Sequence, residues 1–180
     1  MKLRIKLFIG LSLGLFAFLS SCNSGDELKT VEKVDIEKYA GTWYEIYRLP
    51  NRFEKNLSCV TANYTVLKNG KIQVINRGYK DKDNFKEITG KAWLPNPNTS
   101  SQLKVQFFWP FSGDYYIMKL GENYDYALVG SPTRDYLWIL ARSPHLNDSV
   151  IQSLKDYAKN DGFAVDKMEK IAHDCTSPSN

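Results

Sequence analysis

The chain has 180 residues, 24 of them lysine or arginine and 20 aspartate or glutamate. Three of the cations, Lys2, Arg4 and Lys6, stand ahead of an apolar run from Leu7 to Leu19, and setting them aside leaves 21 basic against 20 acidic residues. The remaining lysines are scattered among acids, so no basic patch argues for nucleic acid or acidic lipid as a partner, and the length fits a single domain with a sizeable core.

The N-terminal run is too short for a membrane-spanning helix, which needs roughly 20 apolar residues. With its basic flank it reads as a secretory signal over residues 1–21. Leu19-Ser20-Ser21-Cys22 resembles a bacterial lipobox, which would make Cys22 the lipidated N-terminus of the mature chain; ordinary signal cleavage near Cys22 is the alternative. Residues 22–33 are expected to be a tether, 34–175 the domain and 176–180 a tail. If Cys22 carries lipid, Cys59 and Cys175 remain as a pair that can oxidise outside the cytosol; two buried thiols are the other reading.

From Gly41 onward, alternating β-branched and aromatic segments separated by turn signals predict an all-β protein. Eight strands are read: Thr42–Arg48, Cys59–Lys68, Lys71–Tyr79, Phe85–Leu94, Gln102–Trp109, Tyr115–Leu120, Tyr126–Ser131 and Tyr136–Arg142. Asn69-Gly70 is the strongest hairpin signal, and the stretches beginning at Pro95 and Pro110 break the pattern in the same way. The simplest topology is an antiparallel up-and-down meander, and closing it into a barrel removes the exposed edges. Asn147-Asp148-Ser149 caps one helix, with Val150, Ile151, Leu154, Tyr157 and Ala158 on a single face and Gly162 as its stop. That helix is expected to cover Leu137 and Ile139, because the eighth strand is apolar on both faces. A short last strand, Val165–Ile171, would carry Cys175 toward Cys59.

Period-two alternation then assigns an inner face. It comprises Trp43, Glu45 and Tyr47; Val60, Ala62, Tyr64 and Val66; Ile72, Val74 and Asn76; Ile88, Gly90 and Ala92; Leu103, Val105 and Phe107; Tyr116 and Met118; Ala127 and Val129; and Tyr136, Trp138 and Leu140. The opposite set is polar, which rules against a lipid-facing membrane barrel. Small inner residues such as Ala62, Gly90 and Ala92 favour a cavity, although a filled core would use a similar list. Glu45 is costly on an apolar inner face unless paired.

The motif Gly41-Thr42-Trp43-Tyr44-Glu45-Ile46, the arginine closing Tyr136-Leu137-Trp138-Ile139-Leu140-Ala141-Arg142, and the stretches Val74–Tyr79 and Ala127-Leu128-Val129 resemble the lipocalins, in particular the bacterial outer-membrane lipoprotein branch related to apolipoprotein D. The likeness covers residues 34–175, and departs where the family shows Thr-Asp-Tyr and this chain has Gly121-Glu122-Asn123 or Asn123-Tyr124-Asp125. It implies that Gly41, Trp43 and Arg142 form a structural floor, with Arg142 across the Trp43 ring. The mouth would lie near Tyr47, Arg52 and Phe53, beside Trp109-Pro110-Phe111. The expected function is a binding protein, lipid-anchored to the outer membrane, that carries or stores a fatty acid, lysophospholipid or similar amphiphile. Its ligand contacts would be Glu45, Tyr47, Ala62, Tyr64, Val74, Asn76, Ile88, Val105, Phe107, Tyr116, Met118, Val129, Tyr136 and Trp138. No cofactor, metal or catalytic residue is expected: His145 and His173 lie off the inner strand faces, and no nucleophile elbow, HExxH or CxxC occurs. A lipid- or isoprenoid-modifying enzyme on the same barrel and an envelope interaction module with a filled barrel are the alternatives.

Overall fold

The computed structural model describes residues 27–81 and 84–175. The expected signal, Cys22 and the tail at 176–180 lie outside the described residues. Strands β1 (Gly41–Arg48), β2 (Ser58–Val66), β3 (Ile72–Tyr79), β4 (Phe85–Trp93), β5 (Gln102–Phe108), β6 (Phe111–Leu120), β7 (Tyr126–Gly130) and β8 (Leu137–Ala141) pair antiparallel in chain order. β1 pairs with β2 through Gly41 to Tyr44 and with β8 through Tyr44 to Arg48, and so closes the ring. The expected eight-stranded up-and-down barrel is therefore present. The loops after β1, β3, β5 and β7 gather at one end, here termed the mouth; those after β2, β4 and β6 gather at the other.

Ahead of the ring, α1 (Ile36–Tyr39) is capped by Asp35, whose carboxylate accepts from the Glu37 and Lys38 amides. It drops Tyr39 into the closed end. After the ring, α2 (Asp148–Asn160) starts where the Asn147 side chain accepts from the Ser149 amide. Its buried face, Ile151, Leu154 and Ala158, packs with Leu128, Leu137 and Ile139 in a cluster outside the barrel. Each large aliphatic side chain buried there contributes roughly 1.5–3 kcal/mol, which is why the eighth strand needs no polar face.

Three expected boundaries shift. The predicted last strand is mostly a 3₁₀ turn, Val165–Lys167, followed by the two-residue strand β9 (Glu169–Lys170). Phe163 and Val165 are drawn into the outer cluster, and β1 offers β9 only Tyr47 and Arg48 as partners. β6 begins at Phe111 rather than Tyr115, because its turn from β5 is tight enough for Phe108 to pair with Phe111. Packing also reaches back before residue 34: Leu28 is buried in the outer cluster, the Val31 amide donates to Ile117 O at 3.0 Å, and Ser101 Oγ donates to Thr30 Oγ1 at 3.0 Å.

The expected pairing of Cys59 with Cys175 is made, joining the tail to the start of β2 across 116 positions. In a chain-entropy model such a long closed loop stabilises by roughly 4–5 kcal/mol.

Candidate functional site

The barrel interior divides into a packed floor and an open cup. At the closed end Trp43 is fully buried, and its indole N–H donates to Tyr39 O at 2.8 Å. The Arg142 guanidinium lies 3.8 Å from the Trp43 ring centroid and donates to the carbonyls of Lys38, Tyr39, Ala40, Thr42 and Tyr124. Contact of a cation with an indole face stabilises by roughly 0.5–2 kcal/mol, and five carbonyls hold the cation there. Gly41 makes this possible. Its φ is +94°, favourable only for glycine, and a Cβ would stand 3.4 Å from Arg142 Nη1.

Beside Trp43, at the same closed end, three tyrosines are joined through their hydroxyls. Tyr115 Oη lies 2.7 Å from Tyr39 Oη and accepts from Tyr64 Oη at 3.0 Å. Burial raises the pKa of all three hydroxyls, so the floor stays neutral and satisfied. Ile72, Val74, Ala92, Leu103, Ile117, Ala127, Val129 and Leu140 complete the inner cluster around them.

Nearer the mouth the inner wall is different. Ala62, Asn76, Ile88, Gly90, Val105, Phe107 and Trp138 are only half-buried although they face inward in a closed ring, so solvent enters the upper lumen. Gly90 shapes this wall, since a Cβ there would come within 2.6 Å of Gln106 O and of the Phe107 ring. The ring lies where a side chain would have been. Asn76 Oδ1 is buried in the wall without a hydrogen-bond partner, an acceptor with two free lone pairs.

One side of the cup carries charge. Glu45 and Arg48 are both buried, with Arg48 Nη1 3.4 Å from Glu45 Oε1. Arg48 Nη2 also donates to Glu54 O at 2.7 Å and Leu57 O at 3.2 Å, and its Nε lies 3.7 Å from the Glu169 carboxylate. Glu54 reaches in from the loop after β1 to accept from Trp138 Nε1 at 3.1 Å and Asn51 Nδ2 at 2.6 Å. Burial, then the neighbouring Glu54, raises the Glu45 pKa well above the usual carboxylate range; Arg48 opposes the shift. Tyr136 stacks on Trp138 with centroids 5.8 Å apart, and Phe53 on Tyr136 at 6.5 Å, which lines the rim beside this cluster with aromatic faces.

Most residues expected inside are brought together: Glu45, Ala62, Asn76, Ile88, Val105, Phe107 and Trp138 in the cup, Tyr136 at its rim, and Tyr64, Val74 and Val129 in the floor. Three face the other way. Tyr47 packs in the outer cluster under Lys155, whose Nζ is 3.6 Å from its ring centroid. A bulge between Glu45 and Tyr47 puts Arg48 opposite Trp138, so the inner position expected for Tyr47 belongs to Arg48. Tyr116 and Met118 also lie in the outer cluster, while Tyr115 and Ile117 take the inner face. The segment Tyr115-Tyr116-Ile117-Met118 is apolar at both parities, and alternation had no polar residue to orient it. The alternation missed Arg48, Tyr115 and Glu54. A signal for Glu54 exists in the spacing Asn51-x-x-Glu54: the Asn51 side chain accepts from the Phe53 and Glu54 amides and donates to the Glu54 carboxylate, as a reciprocal cap does. His145 is exposed, and His173 sits outside the barrel, its Nε2 2.9 Å from Glu45 O and its ring edge-on to Tyr44.

Two depressions lie outside the lumen. One of about 400 Å³ is lined by Lys38, Glu122, Asn123, Tyr124 and Arg142 below the floor; one of about 290 Å³ beside the mouth is lined by Pro50, Asn51, Arg52, Lys55, Asn56 and Glu169. Both are shallow and lined mainly by polar or charged residues.

Comparison with known proteins agrees with this geometry. Residues 34–173 match the lipocalin-like domain family. The outer membrane lipoprotein Blc of Escherichia coli K12 is 44% identical over 139 residues, covering 77% of this chain and 78% of Blc. Bovine apolipoprotein D is 36% identical over 144 residues, 76% of each chain. The crystal structure of lobster apocrustacyanin A1 superposes with a TM-score of 0.65 at 21% identity, over 79% of this chain and 81% of the other, which bears on the fold alone. A closed eight-stranded barrel, a tryptophan floor held by the arginine that follows the eighth strand, and a family match over most of the domain make this chain a lipocalin.

Proposed function

We propose that this lipocalin binds a single-chain lipid in its upper lumen and carries or stores it in the bacterial envelope, held to the outer membrane by lipid on Cys22. The observation that carries the reading is the half-exposed inner wall of Ala62, Ile88, Val105 and Phe107 above a sealed floor. Each methylene buried against such a wall contributes roughly 0.8 kcal/mol, so a tail of ordinary length reaches micromolar affinity without special chemistry. The Glu45, Arg48 and Glu54 cluster and the free Asn76 acceptor are the polar groups of the inner wall and would meet the headgroup. These residues hold and orient; the proposed role is binding, without turnover.

The likeness to Blc, an outer membrane lipoprotein by name, supports the location, as does the Leu19–Cys22 stretch. Envelope fractionation with an alkaline carbonate wash, which strips peripheral contacts, tests it: Cys22→Ser should be washed off membranes that retain the parent, and equal retention of the two would remove the anchor from the proposal.

Ala62 is the position to test for the ligand. It pairs with Trp43 on one side and Asn76 on the other, at the boundary between floor and cup. Ala62→Trp should abolish uptake of a fluorescent fatty acid while the far-ultraviolet spectrum and melting temperature stay near those of the parent; undiminished uptake would place the ligand elsewhere.

A further inference from the structure

Five large apolar side chains stand exposed at the mouth: Phe53 at 58%, Phe85 at 44%, Phe108 at 59%, Trp109 at 86% and Phe111 at 77%. Among the described residues the only other exposed large hydrophobic is Leu67, at 39%, at the opposite end. A soluble surface rarely gathers its apolar side chains in this way. Trp109 and the two phenylalanines crown the β5–β6 turn, where Phe108 pairs with Phe111, and nothing in the lumen uses them. Tryptophan and its aromatic neighbours on a protruding turn suit the boundary between headgroups and acyl chains.

The course of the N-terminal segment indicates what covers them. Read backwards, it climbs from the closed end: Val34 bonds to Ser100 below the barrel, Val31 to Ile117, and Leu28, next to Glu27, is buried in the outer cluster against which Tyr116 packs. Cys22 is five positions before Glu27, a reach of at most about 17 Å. Tyr116 is likewise five positions from Phe111 along β6, about 17 Å of strand. An anchor at Cys22 is thus long enough to set the aromatic turn at the bilayer surface, and short enough to keep the domain against it.

We infer that the aromatic rim formed by Phe108, Trp109 and Phe111 docks on the phospholipid bilayer, so that the mouth opens onto the membrane and a lipid can pass between the leaflet and the cup. The proposal adds an orientation to the carrier reading and rests on the Cys22 anchor only for the direction of approach. Contact with lipid should therefore persist without the anchor.

The test uses the chain from residue 22 with Cys22→Ser, which retains every described residue. Sedimentation with phosphatidylethanolamine–phosphatidylglycerol vesicles should show partition of the parent, with a blue shift and shielding from acrylamide in the emission of Trp109, identified by its loss in Trp109→Phe. Trp109→Ser combined with Phe111→Ser should lower the partition coefficient at least tenfold while fatty-acid uptake in vesicle-free solution and the melting temperature are unchanged. Equal partition of parent and variant would overturn the proposal. So would a parent that dimerises in sedimentation velocity and loses its dimer, rather than its vesicle binding, in the variant, because the rim would then belong to a second copy. Failure of fatty-acid uptake with vesicle docking intact would sink the carrier reading and leave the docking surface standing.

Discussion

Glu45 is the residue where folding and binding compete. Its carboxyl is buried between Arg48 and Glu54, and desolvation followed by the Glu54 charge raises its pKa. A raised folded-state pKa means that the fold favours the protonated form. The stabilisation is fully present below the unfolded pKa of about 4.5 and is lost as pH rises through the folded value. Glu45→Gln keeps the shape and a hydrogen-bonding group but has no proton to lose. The variant should match the parent near pH 4.5 and melt progressively higher than it as pH rises toward 8, a divergence that thermal scans at successive pH values will show; parallel curves would mean that Glu45 is ionised throughout and fully compensated by Arg48. Glu45 stands out in the sequence as an anomaly, yet its partners do not, because the bulge that turns Arg48 inward breaks the alternation by a single residue.

At the scale of elements, the segment after β9 is held by two backbone hydrogen bonds, by His173 against Glu45 O and the Tyr44 ring, and by one covalent link. Ile171 N donates to Ile46 O at 3.0 Å, Cys59 N to Ala172 O at 2.7 Å, and the disulfide follows. Next to an exposed two-residue strand, the bridge is the covalent constraint on the tail. Reduction by dithiothreitol should lower the melting temperature by about 8–20 °C, taking roughly 4–5 kcal/mol from loop entropy and 2–4 °C per kcal/mol for a domain of this size. An unchanged melting temperature would mean that β9 docks without it. Pairing of the cysteines was legible from their number once Cys22 was assigned to lipid, and the strands were legible because turn signals separate them. What escaped were orientations on doubly covered strands. On β6 the outer cluster and the floor demand apolar residues on both faces, so periodicity carries no information there, whereas on β3 the polar Gln73 and Arg77 marked the outer side.

For the whole molecule, the division between floor and cup sets the length of ligand that fits. A tail entering at the mouth runs past Phe107 and Ile88 until it meets the hydroxyls of Tyr64 and Tyr115, which satisfy one another and have no reason to part for a methyl group. Trp43, Arg142 and the α1 carbonyls close the same end and leave no apolar path onward. Affinity for a series of saturated fatty acids should rise by about fourfold per added methylene, the equivalent of roughly 0.8 kcal/mol, and then level off at the length that reaches the tyrosine layer. Additional methylenes would remain at the mouth, where water or, in the envelope, the membrane receives them. Isothermal titration of saturated acids of roughly eight to eighteen carbons gives both slope and break. A slope that continues through the longest acid would show that the floor yields, and a flat series from the start would show that the tail never enters the barrel.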